Sequence, residues 1–409
     1  MIGREDLKNQ ATEWGINEHV AEKNYVIGWV LWGIGQDKDI SHKWIFKGGT
    51  CLKKCYLETY RFSEDLDFTV IQEGQINSDE VQPILKRILD RVHDESGINF
   101  SLREPLVKKR NFPFYAEGRI YYQGPRQTPS PASIKIDLLS SEKIVHVPVR
   151  NGIAHGFSDD LPKAAKVMCY SLEEIFAEKI RAMGERGMPR DLYDIIFLFR
   201  EKFNKEKADL VKKLLLAKCE TKNISLTTFE AIAKSPTLDE LKSEWANMLA
   251  HQLPALPPFE AYWSELPNLF AWLEGKYEPP KLEPLKTAPG DTWISHPVGP
   301  TLDLIKRKPI EALRFAAVNH LCVEMRYRKQ GMQLKNYVIR PYSLRRSSEG
   351  KIILYAMKLH ERLTKAFRID WIESIKLTNN PFRPVHPIEF PELGTIYAPQ
   401  ITKKRMKYG

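Results

Sequence analysis

Four polar residues of types that bind metals and phosphates fall on alternate positions: Arg61, Ser63, Asp65 and Asp67. In an extended segment, alternate side chains point to the same side. The two carboxylates would then repel each other unless a cation lies between them. Hard oxygen ligands suit Mg²⁺ or Mn²⁺, which keeps most of its waters and can bind a nucleotide's phosphates on its open side. A solvated strand edge, the commoner explanation of an Asp-x-Asp pair, stays open.

A diglycine turn precedes this stretch. The aromatic run Trp44–Phe46 suits a strand, and residues 50–60 have the composition of a helix. Between them, Gly48 and Gly49 allow a sharp turn, and N–H groups at a helix start can hold phosphates. The candidate nucleotide-binding residues are Lys47, Gly48, Gly49, Thr50, Lys53, Arg61 and Ser63. Taken alone, a diglycine before a helix is more often only a turn.

The order of these features resembles the polymerase-β-like nucleotidyltransferase superfamily. More narrowly, Gly48-Gly-Thr50 followed by Arg61-x-Ser-x-Asp-x-Asp67 resembles the AbiEii/AbiGii abortive-infection toxins of type IV toxin–antitoxin systems. The resemblance implies an α+β fold with a mixed sheet, an NTP substrate and a divalent metal. It also implies a third acidic residue on a neighbouring strand. Asp137 matches that position, although an exposed strand carboxylate explains it equally well.

Two motifs further along resemble the remaining motifs of the same toxins. Ser171–Glu174 has the form of a capping box, which predicts a helix that starts at Leu172 and carries Lys179. A second helix is expected to open at Arg190-Asp191. The resemblance implies that Lys179 meets the nucleotide and that Asp191 assists catalysis, for which accepting a proton from an attacking hydroxyl is the natural role. The structural alternative is a helical hairpin held by surface ion pairs.

Length and composition predict a chain of two or three domains. At 409 residues it is too long for one ordinary core. The chain has no run of eighteen apolar residues and a polar start, so we expect a cytoplasmic protein without membrane association. The five cysteines have no Cys-x-x-Cys spacing, which supports neither a zinc site nor a disulfide framework. Cys51 and Cys55, four residues apart, are interpreted as packing residues.

Positive charge is concentrated near the C-terminus. Residues 301–409 have a net charge of +13, whereas the first 300 residues have −3. A basic module suggests a polyanionic partner, although basic tails are often only solubilising. The predicted domains are a nucleotidyltransferase domain (1–200), its helical extension (201–276), a Pro-rich linker (277–300) and a basic β-barrel domain with a basic tail (301–409).

The C-terminal module is predicted to be a small β-barrel, because short strand-like segments alternate with glycine-bearing turns. The phrases Arg340-Pro-Tyr-Ser-Leu and Phe367-Arg-Ile-Asp-Trp resemble the WYL domain, a ligand-sensing module with an SH3-like barrel. Ile353-Leu-Tyr355 replaces the namesake Trp-Tyr-Leu. The resemblance implies a nucleic-acid or nucleotide ligand contacted by Arg340, Arg346 and Arg368. Ordinary surface arginines explain these residues equally well.

Two functions compete. In the first, Asp65 and Asp67 hold Mg²⁺, the turn Gly48–Lys53 holds the triphosphate, and an acceptor hydroxyl attacks the α-phosphorus and releases pyrophosphate. By resemblance the acceptor is an RNA, with a tRNA end as one candidate, an antitoxin protein is a partner, and growth arrest or anti-phage defence is the consequence. The second function is a non-catalytic nucleotide- and nucleic-acid-binding regulator controlled by the WYL-like domain. The lack of a helix-turn-helix signature counts against it.

Overall fold

The structure, a computed structural model, describes residues 1–57, 61–71, 76–109, 114–162, 165–202, 207–294 and 304–390. The chain divides into two compact units, Met1–Pro279 and Pro280–Gly409. Residues 58–60, at the end of the helix predicted after the diglycine, and the basic tail beyond residue 390 lie outside the described residues. No helix in the described ranges has an apolar stretch long enough to cross a membrane.

A seven-stranded sheet forms the centre of the first unit. Its strands are β1 (Trp44–Lys47), β2 (Leu66–Val70), β3 (Leu106–Lys109), β4 (Tyr115–Tyr122), β5 (Ala132–Leu139), β6 (Val149–Gly152) and β7 (Lys166–Cys169). They run in the order β3-β4-β5-β2-β1-β7-β6. The pairs β2–β5 and β1–β7 are parallel and the other neighbours are antiparallel. The predicted α+β class with a mixed sheet is therefore confirmed.

Alternation along β5 decides which side chains face the core. Ile134, Ile136 and Leu138 are at most 1% exposed, because a strand directs every second side chain to the same face. Lys135 and Asp137 lie on the opposite face and are half-buried. The sheet thus presents Asp137 away from the core that the apolar residues form.

The first unit also contains twelve α-helices in its described residues. They are α1 (Arg4–Trp14), α2 (Glu18–Gln36), α3 (Gly48–Cys51), α4 (Ser78–Ser96), α5 (Leu172–Arg186), α6 (Pro189–Lys202), α7 (Ala208–Thr221), α8 (Phe229–Ala233), α9 (Leu238–Ser243), α10 (Trp245–Leu249), α11 (Phe259–Trp263) and α12 (Leu266–Leu273). A π-helical turn, Leu52–Tyr56, continues α3. Helix α2 is buried along nearly its whole length, whereas α4 buries one apolar stripe, as its 3.6-residue period predicts.

The hairpin of α5 and α6 begins at the predicted cap. Ser171 Oγ accepts a hydrogen bond from the Glu174 N–H at 3.2 Å, so the helix starts at Leu172 as the sequence predicts. Gly187, with φ of +57°, ends α5 in the left-handed conformation that favours glycine. Pro189 then opens α6, where its missing N–H is not needed. These two helices pack against each other.

Among the residues that the structure describes, the second unit contains an antiparallel sheet and an α-helix. Helix α13 (Leu304–Val318) accompanies β8 (Thr292–Trp293), β9 (Leu321–Tyr327), β10 (Lys335–Arg346), β11 (Ile352–Lys358), β12 (Thr364–Arg368) and β13 (Ile372–Pro381). The order is β12-β11-β10-β9-β13, and β8 pairs with β10. β13 is mostly exposed and lacks the clear apolar alternation by which a strand is predicted from sequence.

Part of the predicted linker pairs with the second unit. The N–H of Glu283 donates to the Val385 carbonyl at 3.0 Å, and the N–H of Ile294 donates to the Leu344 carbonyl at 3.2 Å. The boundary between the two units falls within the predicted linker, after Pro279. The domain bounds drawn from the sequence stay a prediction.

Candidate active site

A cleft of about 530 Å³ opens where β1, β2 and β5 meet the α5–α6 hairpin. Nine residues predicted from the sequence line it: Lys47, Gly48, Gly49, Arg61, Ser63, Asp65, Asp67, Asp137 and Lys179. The four polar residues on alternate positions from Arg61 to Asp67 therefore share one cavity. The two motifs that are separated in the sequence, the diglycine turn and the Asp-x-Asp pair, lie side by side in it, because β1 and β2 are paired and Lys47 is the register partner of Asp67.

Three carboxylates lie on neighbouring parts of the cleft wall. Asp65 directly precedes β2, and Asp67 lies within that strand. Asp67 is the register partner of Asp137 in the parallel β2–β5 pair. Asp137 Oδ1 accepts a hydrogen bond from the Tyr115 hydroxyl at 2.9 Å, and its Oδ2 accepts one from Lys135 Nζ at 2.6 Å. These two donors hold the Asp137 carboxylate beside the other two.

Negative charge accumulates in this cluster. Burial raises the pKa of Asp67 to about 6; the Lys47 ammonium opposes burial, while the charges of Asp137 and Asp65 add to it. Burial also raises the pKa of Asp65. A divalent cation would relieve this repulsion, and carboxylate oxygens are ligands that Mg²⁺ and Mn²⁺ prefer. The residues present therefore fit the predicted metal.

The turn between β1 and α3 requires glycine twice. Gly48 has φ of +78°, and a Cβ at this residue would lie 2.4 Å from Asp67 Oδ2. A Cβ on Gly49 would lie 2.7 Å from Arg61 Nη2. Either side chain would push a functional group out of place. Because α3 starts here, its first N–H groups have no partner within the helix and can donate hydrogen bonds to an anion.

Arg61 links the segment before β2 to α6 through an ion pair. Its Nε and Nη2 donate to the two carboxylate oxygens of Asp194 at 2.7 and 2.9 Å. Its Nη1 donates to Gln252 Oε1 at 2.8 Å. The side chains of Arg61 and Asp194 are only 2% and 0% exposed. Such bidentate, buried pairing fixes where the chain enters the cleft.

Asp191 lies behind two cations of the cleft wall. Arg186 Nε and Nη2 donate to its carboxylate oxygens at 2.8 and 3.0 Å. Lys179 Nζ lies 3.5 Å from Asp191 Oδ1 and 2.9 Å from Asp194 Oδ2. Lys179 and Arg186 line the cleft, whereas Asp191 is fully buried and does not. The structure thus brings Lys179 to the site and places Asp191 where it can orient the cations.

Thr50 and Lys53 are the two predicted nucleotide-binding residues that do not line the cleft. Thr50 is fully buried, and its hydroxyl has no hydrogen-bond partner among the described residues. The Lys53 ammonium lies 4.3 Å from the centre of the Phe62 ring. Each helical residue is rotated by about 100° from the one before it, so only the start of α3 faces the cleft.

A buried ionic network around Lys47 was missed from the sequence. Lys47 Nζ donates to Glu178 Oε1 at 2.9 Å and also contacts Glu142. Burial alone would lower the pKa of Lys47, but Glu178 and Glu142 hold the pKa well above its usual value. Burial alone would raise the pKa of Glu178, but Lys47 and Lys218 lower it to about 2. Both partners are therefore ionised at neutral pH.

Further cations of the cleft were also missed: Lys135, Arg181, Arg186, Arg190 and Lys222. Lys135 could have been predicted from the sequence, since it shares the polar face of β5 with Asp137. Glu178 could also have been predicted, since it precedes Lys179 within the helical motif. No sequence pattern points to Glu142, because it lies 95 residues from Lys47 in the sequence.

The three arginines predicted as ligand contacts lie apart on the second unit's sheet. Arg340 and Arg346 are near opposite ends of the β10–β11 ladder. Arg368 lies across β11 from Arg345, since both pair with the same residue of that strand. The Arg368 guanidinium is paired with Asp370, at 2.9 Å from Nε to Oδ1. The strand register therefore does not bring the three arginines to one place where they could contact the same anion.

Similarity to individual known proteins is low. No curated protein matches the chain. Among solved structures, MenT4, a nucleotidyltransferase toxin from Mycobacterium tuberculosis H37Rv, is 17% identical with a TM-score of 0.49, over 67% of this chain and 90% of its own. Proteasome accessory factor B/C (PafBC) of Arthrobacter aurescens is 15% identical with a TM-score of 0.19, over 49% of this chain and 24% of its own. Neither structural likeness is strong enough to support an inference.

The family comparison is decisive. The model described as nucleotidyl transferase AbiEii toxin, type IV toxin–antitoxin system, matches residues 30–265. The match covers more than half of the chain and includes the diglycine turn, the Asp-x-Asp pair and the α5–α6 hairpin. The resemblance seen in the sequence motifs is thereby confirmed. The chain belongs to the AbiEii family of nucleotidyltransferase toxins, the toxin component of type IV toxin–antitoxin systems.

Proposed function

We propose that the protein transfers a nucleoside monophosphate from an NTP to a hydroxyl of an RNA acceptor, with a tRNA end as the leading candidate. Asp65, Asp67 and Asp137 would hold Mg²⁺ or Mn²⁺. The observation that carries this proposal is the register pairing of Asp67 with Asp137, beside the glycine turn in one cleft. The bound metal would supply charge neutralisation and orientation for the phosphates.

The chain's own groups would hold and align the triphosphate. The N–H groups that start α3 can donate to phosphate oxygens, and the ammonium of Lys179 and the guanidinium of Arg186 add positive charge on the hairpin side. Asp191 is proposed to act through these two cations, since it contacts both and does not face the cleft. Phosphoryl transfer depends chiefly on such positioning and neutralisation.

The acceptor is proposed to be a polyanion because cations outnumber carboxylates in the lining of the cleft, eight to six. Lys135, Arg190 and Lys222 line it in addition to Lys179 and Arg186. RNA satisfies this charge and supplies a hydroxyl nucleophile. By family, growth arrest or anti-phage defence would be the consequence, and the type IV family implies an antitoxin partner.

A regulatory function is the second candidate, and the charge distribution favours it. Residues 301–409 hold a net charge of +13. In this proposal the second unit is a WYL-like domain that binds nucleic acid or a nucleotide through Arg340, Arg346 or Arg368. The first unit would then bind nucleotide without transferring it.

Incubation of the full chain with labelled NTPs, Mg²⁺ and total RNA separates the two candidates. We expect covalent label in RNA from one or more of the four NTPs, and loss of label by at least 100-fold in Asp65→Asn and Asp67→Asn. Asp90→Asn is the matched control, since Asp90 is exposed on α4. If no NTP labels RNA, although nucleotide and RNA both bind, the regulatory function would be supported instead.

A further inference from the structure

Three of the five cysteines meet beneath the glycine turn, although the sequence indicated no cysteine site. Cys51 ends α3, Cys55 lies in the π-helical turn, and Cys169 ends β7. Their three Sγ atoms all lie within 4.8 Å of one another. All three thiols are free. Cys169 could not be assigned to this group from the sequence, because it lies far along the chain from Cys51 and Cys55.

The fold explains this meeting. β1 and β7 run parallel, with Phe46 as the register partner of Cys169. The chain leaves β1, turns at the diglycine and places Cys51 above the end of β7. Cys55 follows four residues later and lies on the same side of the helical segment. Two packed elements thus present three sulfurs to one point.

The dimensions suit a metal ion. Zinc–sulfur bonds of about 2.3 Å place coordinated sulfurs roughly 4 Å apart. Sulfurs already within 4.8 Å need to move only slightly to reach that spacing.

The three thiols differ in their surroundings, and burial raises the pKa of Cys51 and Cys169 well above the usual thiol value. Cys51 and Cys169 are fully buried, whereas Cys55 is half-buried and offers a way in. The Lys54 ammonium, itself 2% exposed, interacts favourably with a negative charge on Cys55. Binding a cation releases the thiol protons and leaves a net negative centre, which this lysine partly balances.

We propose that Cys51, Cys55 and Cys169 bind one thiophilic d¹⁰ cation, Zn²⁺ or Cu⁺, independently of the carboxylate site. Thiolate ligands select these two ions. Within the described ranges, no fourth His, Asp, Glu or Cys joins the group. Cu⁺ accepts three sulfurs, whereas Zn²⁺ would take a water on the Cys55 side as its fourth ligand. The ion would tie the glycine turn to β7 and so stabilise the first unit.

The test uses the full-length reduced protein in two competition titrations. Zn²⁺ is competed against a chromophoric chelator, and Cu⁺ against a chelator specific for Cu⁺. We expect one equivalent of at least one of the two ions to bind per chain. Co²⁺ substitution should give the intense near-ultraviolet band of thiolate-to-metal charge transfer.

The variants decide where the ion binds. Cys55→Ser should weaken binding at least 100-fold and abolish the charge-transfer band, whereas Cys219→Ser, the matched control on α7, should change neither. Asp67→Asn should also leave binding intact, which separates this site from the carboxylates. Metal should raise the melting temperature of the wild type by several degrees but not that of Cys55→Ser. Absence of stoichiometric binding, or equal binding by Cys55→Ser, would overturn the proposal.

Discussion

Arg61 and Asp194 form a buried bidentate ion pair across 133 residues of sequence, with 2.7 and 2.9 Å between their paired atoms. Asp194 also accepts from Lys179 at 2.9 Å. One carboxylate of α6 therefore positions both the segment that enters β2 and a cation of the α5–α6 hairpin. The two halves of the cleft are joined at this residue.

Breaking this pair should destabilise the protein strongly. We expect Arg61→Gln and Asp194→Asn each to lower the free energy of unfolding by about 3 kcal/mol, because each leaves buried charge poorly compensated. The double variant should lose less than the sum of the two. Urea denaturation of all three variants measures this. The exposed pair Lys242–Glu260 is the control, and Lys242→Gln should leave the free energy of unfolding essentially unchanged. Additive losses would show that the two residues act separately.

Asp67 should make the metal-free protein less stable as pH rises. Its folded-state pKa of about 6 is above the ordinary value of 3.8, so the folded state holds the proton more tightly than the unfolded state. The contribution of Asp67 to the free energy of unfolding is fully present below pH 3.8 and is lost as the pH rises through about 6. Asp67→Asn should therefore be more stable than wild type at pH 7 by roughly 1–2 kcal/mol after solvent screening, and similar at pH 3.5.

Melting temperatures recorded from pH 3.5 to 8 in a chelator test this expectation. Added Mg²⁺ should restore stability to the wild type but not to the variant. The surface variant Asp90→Asn should follow the wild type throughout. Parallel pH profiles for wild type and Asp67→Asn would contradict the electrostatic account of the carboxylate cluster.

Glycine at residue 48 should be essential for transfer. Gly48→Ala forces a Cβ toward Asp67 Oδ2 and strains a residue with positive φ, so we expect at least a tenfold loss of rate and about 1–3 kcal/mol of stability. Gly152→Ala is the control, because a Cβ there meets nothing within 4 Å. Labelling rates and denaturation midpoints are compared. Full activity in Gly48→Ala would mean that neither Asp67 nor the turn needs its present geometry.

Substitutions of Lys179 and of Asp191 should impair nucleotide transfer in different ways. Lys179→Ala should raise the KM for NTP about tenfold or more, since a phosphate-binding charge is lost, while Asp191→Asn should mainly lower kcat at saturating NTP. Because Arg186 is also proposed to hold the triphosphate, Arg186→Gln should raise the KM for NTP as well as lower kcat. If Asp191 works through Arg186, the double variant should be little worse than Arg186→Gln alone. Steady-state kinetics of the four variants and the wild type measures these changes. Independent, multiplying losses would instead favour a direct role for Asp191 in proton transfer.

Most of the catalytic motif could be predicted from the local spacing of residues in the sequence. Alternate positions along an extended segment share a side, which groups Arg61, Ser63, Asp65 and Asp67 on one side of the chain. The capping box at Ser171 and the apolar period of α4 likewise depend on neighbours within one or two turns. Family resemblance added Asp137 and Lys179, and both line the cleft.

Strand order and helix orientation decided the rest, because they bring together residues that no short pattern connects. Placing β1 between β2 and β7 sets Cys169 beside Cys51, and the packing of α6 sets Asp194 against Arg61. The rotation of α3 and of the π-helical turn after it directs Thr50 and Lys53 away from the cleft, and Asp191 is buried behind Arg186. The sequence by itself determined which residue types and local elements form this site; only tertiary packing decided which charges are paired, because that depends on contacts between residues far apart in the chain.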